Sequence, residues 1–192
     1  MRAGVGPNAI TVVGFVGAIA TSVLVVAQYW IAAGVVFLVS SLSDMLDGAV
    51  ARMSARTSRF GAFLDSTLDR LGEAFILGAI GVALARNGTT WAVGMAFAAL
   101  AGSFLVSYTR ARAEGLGVDS NRGGLMSRPE RLVLVGLGIF LGGVGPTLQI
   151  IVTILAVLTL LTVAQRLSHV HSTLRAADGG PGNSHRGGDP TS

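Results

Sequence analysis

Six stretches of the chain are apolar enough to cross a bilayer, and that property decides most of what it can become. Spanning takes roughly 20 apolar residues. The stretches run at about 10–29, 31–51, 60–85, 90–113, 131–144 (the short one) and 146–168. The breaks between them read "AQYW", "RMSARTSR", "RNGTT", "EGLGVDSNRGGLMSRPE" and "GGVGP". Only 12% of the residues are charged, against about 25% in a soluble domain, which excludes a soluble fold. The expectation is an all-α integral membrane protein of six transmembrane helices. Residues 1–175 form its one domain, and the Gly/Pro/Ser-rich end, 176–192, is a disordered cytoplasmic tail. The opening "MRAGVGPNAI" carries one positive charge, as a signal peptide would. The run from Ile10 to about Trp30 is long enough to span, however, and no small-residue cleavage site clearly ends it, so it is read as a retained helix. Glycine is frequent inside the spans, as expected where helices pack closely in lipid.

The cations orient these spans. All 14 basic residues are arginine. Arg2, Arg52, Arg56, Arg59, Arg110, Arg112, Arg122, Arg128, Arg131, Arg166, Arg175 and Arg186 fall on one side, Arg86 alone falls on the other, and Arg70 sits within the third span. Under the positive-inside rule both termini are cytoplasmic, in a multi-pass protein of the cell (plasma) membrane. Cysteine is absent, which excludes disulfides, thiolate metal sites and a cysteine nucleophile.

Against that apolar background stands "SDMLDGAVARMSARTSRFGAFLDSTLDR", Ser43 to Arg70. Asp44 and Asp47 lie three residues apart near the cytoplasmic end of the second span. Asp65 and Asp69 lie four apart near the start of the third. Each spacing puts a pair on one helix face, and a short loop joins the two helices as antiparallel neighbours. Four carboxylates can therefore converge beneath the cytoplasmic surface. One aspartate at a helix centre costs about 2.5–3.5 kcal/mol to insert, so four demand protonation or cations. Salt bridges to Arg52, Arg56, Arg59 and Arg70 would account for one aspartate more readily than for two facing stripes. Oxygen ligands without His or Cys suit Mg²⁺ or Mn²⁺, and two such ions can clamp phosphate oxygens. Gly48 and Gly61 beside these aspartates leave room for a ligand against the backbone.

With its spacings the stretch is D-x₂-D-G-x₂-A-R-x₈-G-x₃-D-x₃-D, formed by Asp44, Asp47, Gly48, Ala51, Arg52, Gly61, Asp65 and Asp69. It resembles the signature of the CDP-alcohol phosphotransferase family, with every fixed position filled. The resemblance implies transfer of the phosphatidyl group of CDP-diacylglycerol to an alcohol, with CMP released. It also implies that Asp44, Asp47, Asp65 and Asp69 ligate Mg²⁺ or Mn²⁺, two ions per site, and that Asp69 is the catalytic base. CDP-diacylglycerol would be held by Asn8 and Thr11 of "GPNAIT" together with Gly48, Ala51, Arg52, Ser58 and Gly61. Family members carry an amphipathic interfacial helix before the first span, whereas this chain begins almost at "GPNAIT".

The acceptor is set elsewhere. "SYTRARAEG", "SRPERL" and "AQRLSHV" place Arg110, Arg112, Arg128, Arg131 and Arg166 at three cytoplasmic helix ends. Arginines there commonly anchor in anionic headgroups. Five on three helices fit a pocket for an anion, which arginine binds bidentately. "SYTRARAE" and "RPERL" resemble a narrower group in the family, the actinobacterial phosphatidylinositol phosphate synthases, whose acceptor is 1D-myo-inositol 3-phosphate. By that resemblance Ser107, Tyr108, Arg110, Arg112, Arg128, Arg131 and Arg166 line the acceptor pocket. Further implied partners are membrane lipid and a second copy of the chain, as a homodimer; no nucleic acid is expected. The same chemistry with glycerol 3-phosphate is the alternative. A divalent-cation transporter is the alternative of another class; it needs an exit to the far side, yet all four aspartates cluster near one face.

Overall fold

Among the described residues the chain forms six helices: α1 (Pro7–Val26), α2 (Trp30–Met53), α3 (Arg59–Arg86), α4 (Thr90–Gly115), α5 (Arg128–Phe140) and α6 (Thr147–Asp178). The structure, a computed structural model, describes the backbone of residues 7–53, 58–119 and 124–178, and the side chains of 9–42, 58–119 and 124–176. Among the described residues there is no strand. Pro7 opens α1, where a missing N–H costs nothing. Ser58 caps α3, its hydroxyl accepting from the Gly61 N–H at 2.9 Å. At the start of α5, Glu130 reaches back to accept from the backbone N–H of Ser127 at 2.9 Å and from its hydroxyl.

α1, α3 and α4 end alike. Tyr29, Thr89 and Val118 donate their N–H groups to Leu24, Leu84 and Ala113, each across a left-handed residue: Gln28 (φ 62°), Gly88 (φ 73°) and Gly117 (φ 74°). Gln28 adopts this conformation without being glycine, and its side-chain amide bonds Asn87 at 2.9 Å. Arg86 donates to the Val26 carbonyl at 2.7 Å. The α1–α2 and α3–α4 turns are thus tied together, at the end of the bundle opposite the aspartates.

Among the described residues the main helix contacts close a ring, α1–α2–α5–α6–α4–α3 and back to α1. α2 and α3 are linked chiefly through α1, which packs against both. Small residues let the backbones approach, as expected in lipid. A Cβ on Gly142 would fall 2.4 Å from the Trp30 ring, and one on Gly34 would fall 2.7 Å from Phe140, so α2 and α5 interlock through aromatic rings seated on glycine. Gly102 receives Thr159 in the same way between α4 and α6. The interior is aliphatic, with Leu77, Ile80 and Leu84 of α3, Ile139 of α5 and Leu155 of α6 fully enclosed.

The outside is as apolar as the inside. Val13 is 65% exposed, Ile31 67%, Phe97 72% and Val133 68%, and such side chains ring the bundle. A surface like this is stable against lipid, not water, and the chain is a membrane protein. α1, α4 and α6 each carry a segment long and apolar enough to cross alone, while α2 has a shorter apolar part, Trp30–Leu42. α3 has the length, but its first 15 residues hold Arg59, Asp65, Asp69, Arg70 and Glu73.

Several ends differ from those expected. α1 starts earlier, at Pro7, and stops at Val26, because the left-handed Gln28 turns the chain. α5 covers 13 residues, about 20 Å of rise, and gives way to turns at Leu141–Pro146, where Gly142 and Gly143 accommodate Trp30. α6 runs on to Asp178, past the expected span end and domain limit. The tail from residue 179 lies outside the described residues.

Candidate active site

The polar face of α3 organises the site. Asp65, Asp69 and Glu73 recur every four residues, so one stripe presents three carboxylates, and α1, α4 and α5 answer them. Asp65 Oδ1 accepts from the Thr11 hydroxyl of α1 at 3.2 Å. Asp69, its side chain 9% exposed, pairs through Oδ1 with Arg128 Nη2 of α5 at 2.6 Å. Glu73 Oε1 accepts from Arg131 Nε of α5 at 3.1 Å and from the Ser103 hydroxyl of α4. Arg131 is only 3% exposed.

Of these groups Thr11, Asp69, Glu73, Arg128 and Arg131 line a cavity of about 80 Å³ between α1, α2, α3 and α5. Its polar end holds Asp69, Arg70, Glu73, Arg128 and Arg131, with Thr11, Ser40 and Ser41 facing them; deeper in, Phe37, Ile76, Leu77 and Val135 make it apolar. Three arginines against two carboxylates leave the wall suited to an anion. α6 sets the entry to α5: the Leu125 N–H donates to Gln165 Oε1 at 3.0 Å, and the Met126 N–H to Thr162 Oγ1 at 3.1 Å. Arg128 and Arg131 therefore project from a pinned helix start.

The expected site residues separate into groups. Asp44, Asp47, Gly48, Ala51 and Arg52 lie on the last turns of α2, and Asn8 on the first turn of α1; their side chains fall outside the described residues. Thr11 lines the cavity. Ser58 and Gly61 form the α3 cap. Arg128 and Arg131 share the cavity wall with Asp69. The other five acceptor candidates stand outside that wall. Ser107 bonds its own helix at Ser103 O, 3.1 Å. Tyr108 and Arg112 are exposed, and Arg110 pairs with Glu114 at 2.9 Å. Arg166 donates from Nη1 to Val106 O at 2.6 Å, within electrostatic reach of Arg110 and Arg131. Among the described ion pairs Asp69 meets Arg128. Glu73 and Ser103 escaped the sequence reading, although Glu73 continues the four-residue spacing of the aspartates.

The residues suit a hard divalent cation. Asp65 and Asp69 offer carboxylate oxygens one turn apart, and no His, Cys or Met lines the cavity. No group of three or more His, Cys, Asp or Glu gathers among the described residues, so a four-carboxylate centre requires Asp44 and Asp47 from α2.

Comparison with known proteins shows the family and the fold. Residues 5–174 match the family model described as CDP-alcohol phosphatidyltransferase. The archaetidylinositol phosphate synthase of Pyrococcus horikoshii is 38% identical over 164 residues, 85% of this chain and 82% of the relative. The phosphatidylinositol phosphate synthase of Mycobacteroides abscessus is 37% identical over 185 residues, 93% of this chain and 83% of the relative. A crystal structure of the Mycobacterium tuberculosis phosphatidylinositol phosphate synthase with CDP-DAG bound superposes with a TM-score of 0.80 at 32% identity, covering 88% of each chain. The same enzyme with manganese and citrate superposes with a TM-score of 0.79 at 32% identity, covering 89% of this chain and 85% of that one. The chain belongs to the CDP-alcohol phosphatidyltransferase family and is an enzyme of that phosphotransferase class.

Proposed function

We propose that this enzyme transfers the phosphatidyl group of CDP-diacylglycerol to 1D-myo-inositol 3-phosphate, giving phosphatidylinositol phosphate and CMP. The observation that carries the reading is the meeting of Asp69 with Arg128 and Arg131 on one cavity wall. A carboxylate able to take a proton stands beside arginines able to hold an anion, as an alcohol already bearing a phosphate requires. The relatives named for inositol phosphate lipids and the solved relative with CDP-DAG bound support acceptor and donor respectively.

In this reading the acceptor's phosphate docks on Arg128 and Arg131, with Arg166, Arg110, Arg112, Ser107 and Tyr108 guiding it from the cytoplasmic helix ends. Asp69 takes the proton of the attacking hydroxyl. The hydroxyl oxygen bonds to the β-phosphorus, the bond from that phosphorus to the bridging oxygen breaks, and CMP leaves with the electron pair. Asn8, Thr11, Gly48, Ala51, Arg52, Ser58 and Gly61 hold the donor. Asp44, Asp47, Asp65 and Asp69 would hold two Mg²⁺ or Mn²⁺ ions, a reading supported by manganese in the solved relative. Such ions, when bound, neutralise pyrophosphate charge and stabilise the leaving group. The enzyme sits in the plasma membrane as a homodimer, its six helices crossing with both termini and the site cytoplasmic.

The test supplies membranes containing the enzyme with CDP-diacylglycerol, Mg²⁺ or Mn²⁺, and labelled inositol phosphate or glycerol 3-phosphate. Labelled lipid is expected from inositol phosphate. Product from glycerol 3-phosphate alone would overturn the acceptor.

A further inference from the structure

We infer that Glu73 is a positioning residue for the acceptor, acting through Arg131. The inference rests on the transfer reaction proposed above. Arg131 is a cation almost wholly enclosed by the bundle, and a buried charge is tolerated only when paired. Glu73 pairs it in a particular way, taking Nε at 3.1 Å. The two Nη groups hydrogen-bond no described residue, yet Arg131 lines the cavity. A guanidinium tethered at Nε has its plane fixed and keeps its outer edge, with two parallel donor groups, for a bidentate oxyanion.

Ser103 completes the device. Its hydroxyl donates to the same Glu73 oxygen that receives Arg131, so α4 restrains a carboxylate that α3 supplies and α5 uses. Glu73 also balances the charge of Arg131, so recognition there depends on the aim of the donors more than on net charge. A displacement of about 1 Å in such a group is enough to weaken productive binding. Glu73 touches none of the reacting atoms, which fall to Asp69 one turn away.

The experiment measures KM for inositol phosphate, KM for CDP-diacylglycerol and kcat on the full-length enzyme in proteoliposomes, with calorimetric binding of inositol phosphate as a readout independent of turnover. Glu73→Ala should raise the acceptor KM by about 10- to 100-fold, the range for losing a charge-assisted hydrogen bond, while the donor KM moves by less than about twofold. Glu73→Gln keeps an oxygen for Nε and should lose less than the alanine variant. Ser103→Ala should shift the acceptor KM in the same direction by about threefold, less than the loss of Glu73 itself, because Ser103 restrains Arg131 only through the Glu73 carboxylate. Should Glu73→Ala not fold, the Gln and Ser103 variants carry the test. Equal shifts in both KM values, or a fall in thermal stability and kcat with both KM values unchanged, would overturn the inference. If wild-type enzyme uses only glycerol 3-phosphate, the proposed acceptor fails, and the same KM split measured with that substrate still decides the role of Glu73.

Discussion

Asp69 and Arg128 hold each other at 2.6 Å, and each has its own task in the proposed reaction. Arg128→Ala should raise the acceptor KM by about 10- to 100-fold and leave the donor KM nearly unchanged in a steady-state assay; a larger effect on the donor would move Arg128 out of the acceptor site. At the α5 cap, the Ser127 hydroxyl is the first of the contacts that hold the Glu130 carboxyl below its ordinary value. A lowered folded-state pKa means a contribution complete above the unfolded carboxylate value and lost as pH falls through the folded one. Thermal stability in detergent should therefore fall below about pH 4, and Glu130→Gln should remove a small part of that dependence; an identical pH profile in the variant would contradict the cap. The aspartate motif was legible in the sequence because charges inside apolar runs have few explanations. Glu73 was less so, since it lies outside the motif and its partners come from α4 and α5. The pairing of Asp69 with Arg128 was out of reach for the same reason: Arg128 lies far along the chain, and the ring of helices brings it across.

Between elements, glycine decides how closely helices approach. Gly142→Ala places a methyl 2.4 Å from the Trp30 ring and should destabilise the protein by about 1–3 kcal/mol, as overpacking does. Gly94→Ala meets nothing within 4 Å and should be neutral or stabilising by up to about 1 kcal/mol. Thermal melts of the two variants in detergent check the contrast; equal losses would mean that the Trp30 contact does not hold α2 to α5. All six helices were legible as apolar runs, because lipid exposure makes each run apolar on most faces. Their ends were not. Gln28 gives no sign of a left-handed residue, and the stop of α5 at Phe140 depends on where Trp30 packs. Five arginines of the acceptor group were read from helix ends and the full seven from the family resemblance, and neither separates the cavity wall of α5 from the exposed end of α4.

For the whole molecule, the six crossings proposed above would place Gln28, Gly88 and Gly145 on one side of the bilayer, and the site on the other. The chain has no cysteine, so single cysteines at these three positions can be labelled without a background. Impermeant maleimide should reach all three from the outside of intact cells, and a cysteine at Ser172 should react only after lysis. Labelling of Ser172 from outside would reverse the proposed orientation. The central claim is that one cavity joins a proton-accepting carboxylate to an anion-holding pair of arginines and so drives transfer. Its most direct measurement is CMP released from CDP-diacylglycerol, followed with and without inositol phosphate in wild type and Asp69→Asn. Wild type should release CMP in step with lipid product only when acceptor is present, and folded Asp69→Asn should be slower by about 10²- to 10⁴-fold. Release at the wild-type rate from that variant, or release indifferent to inositol phosphate, would contradict the account.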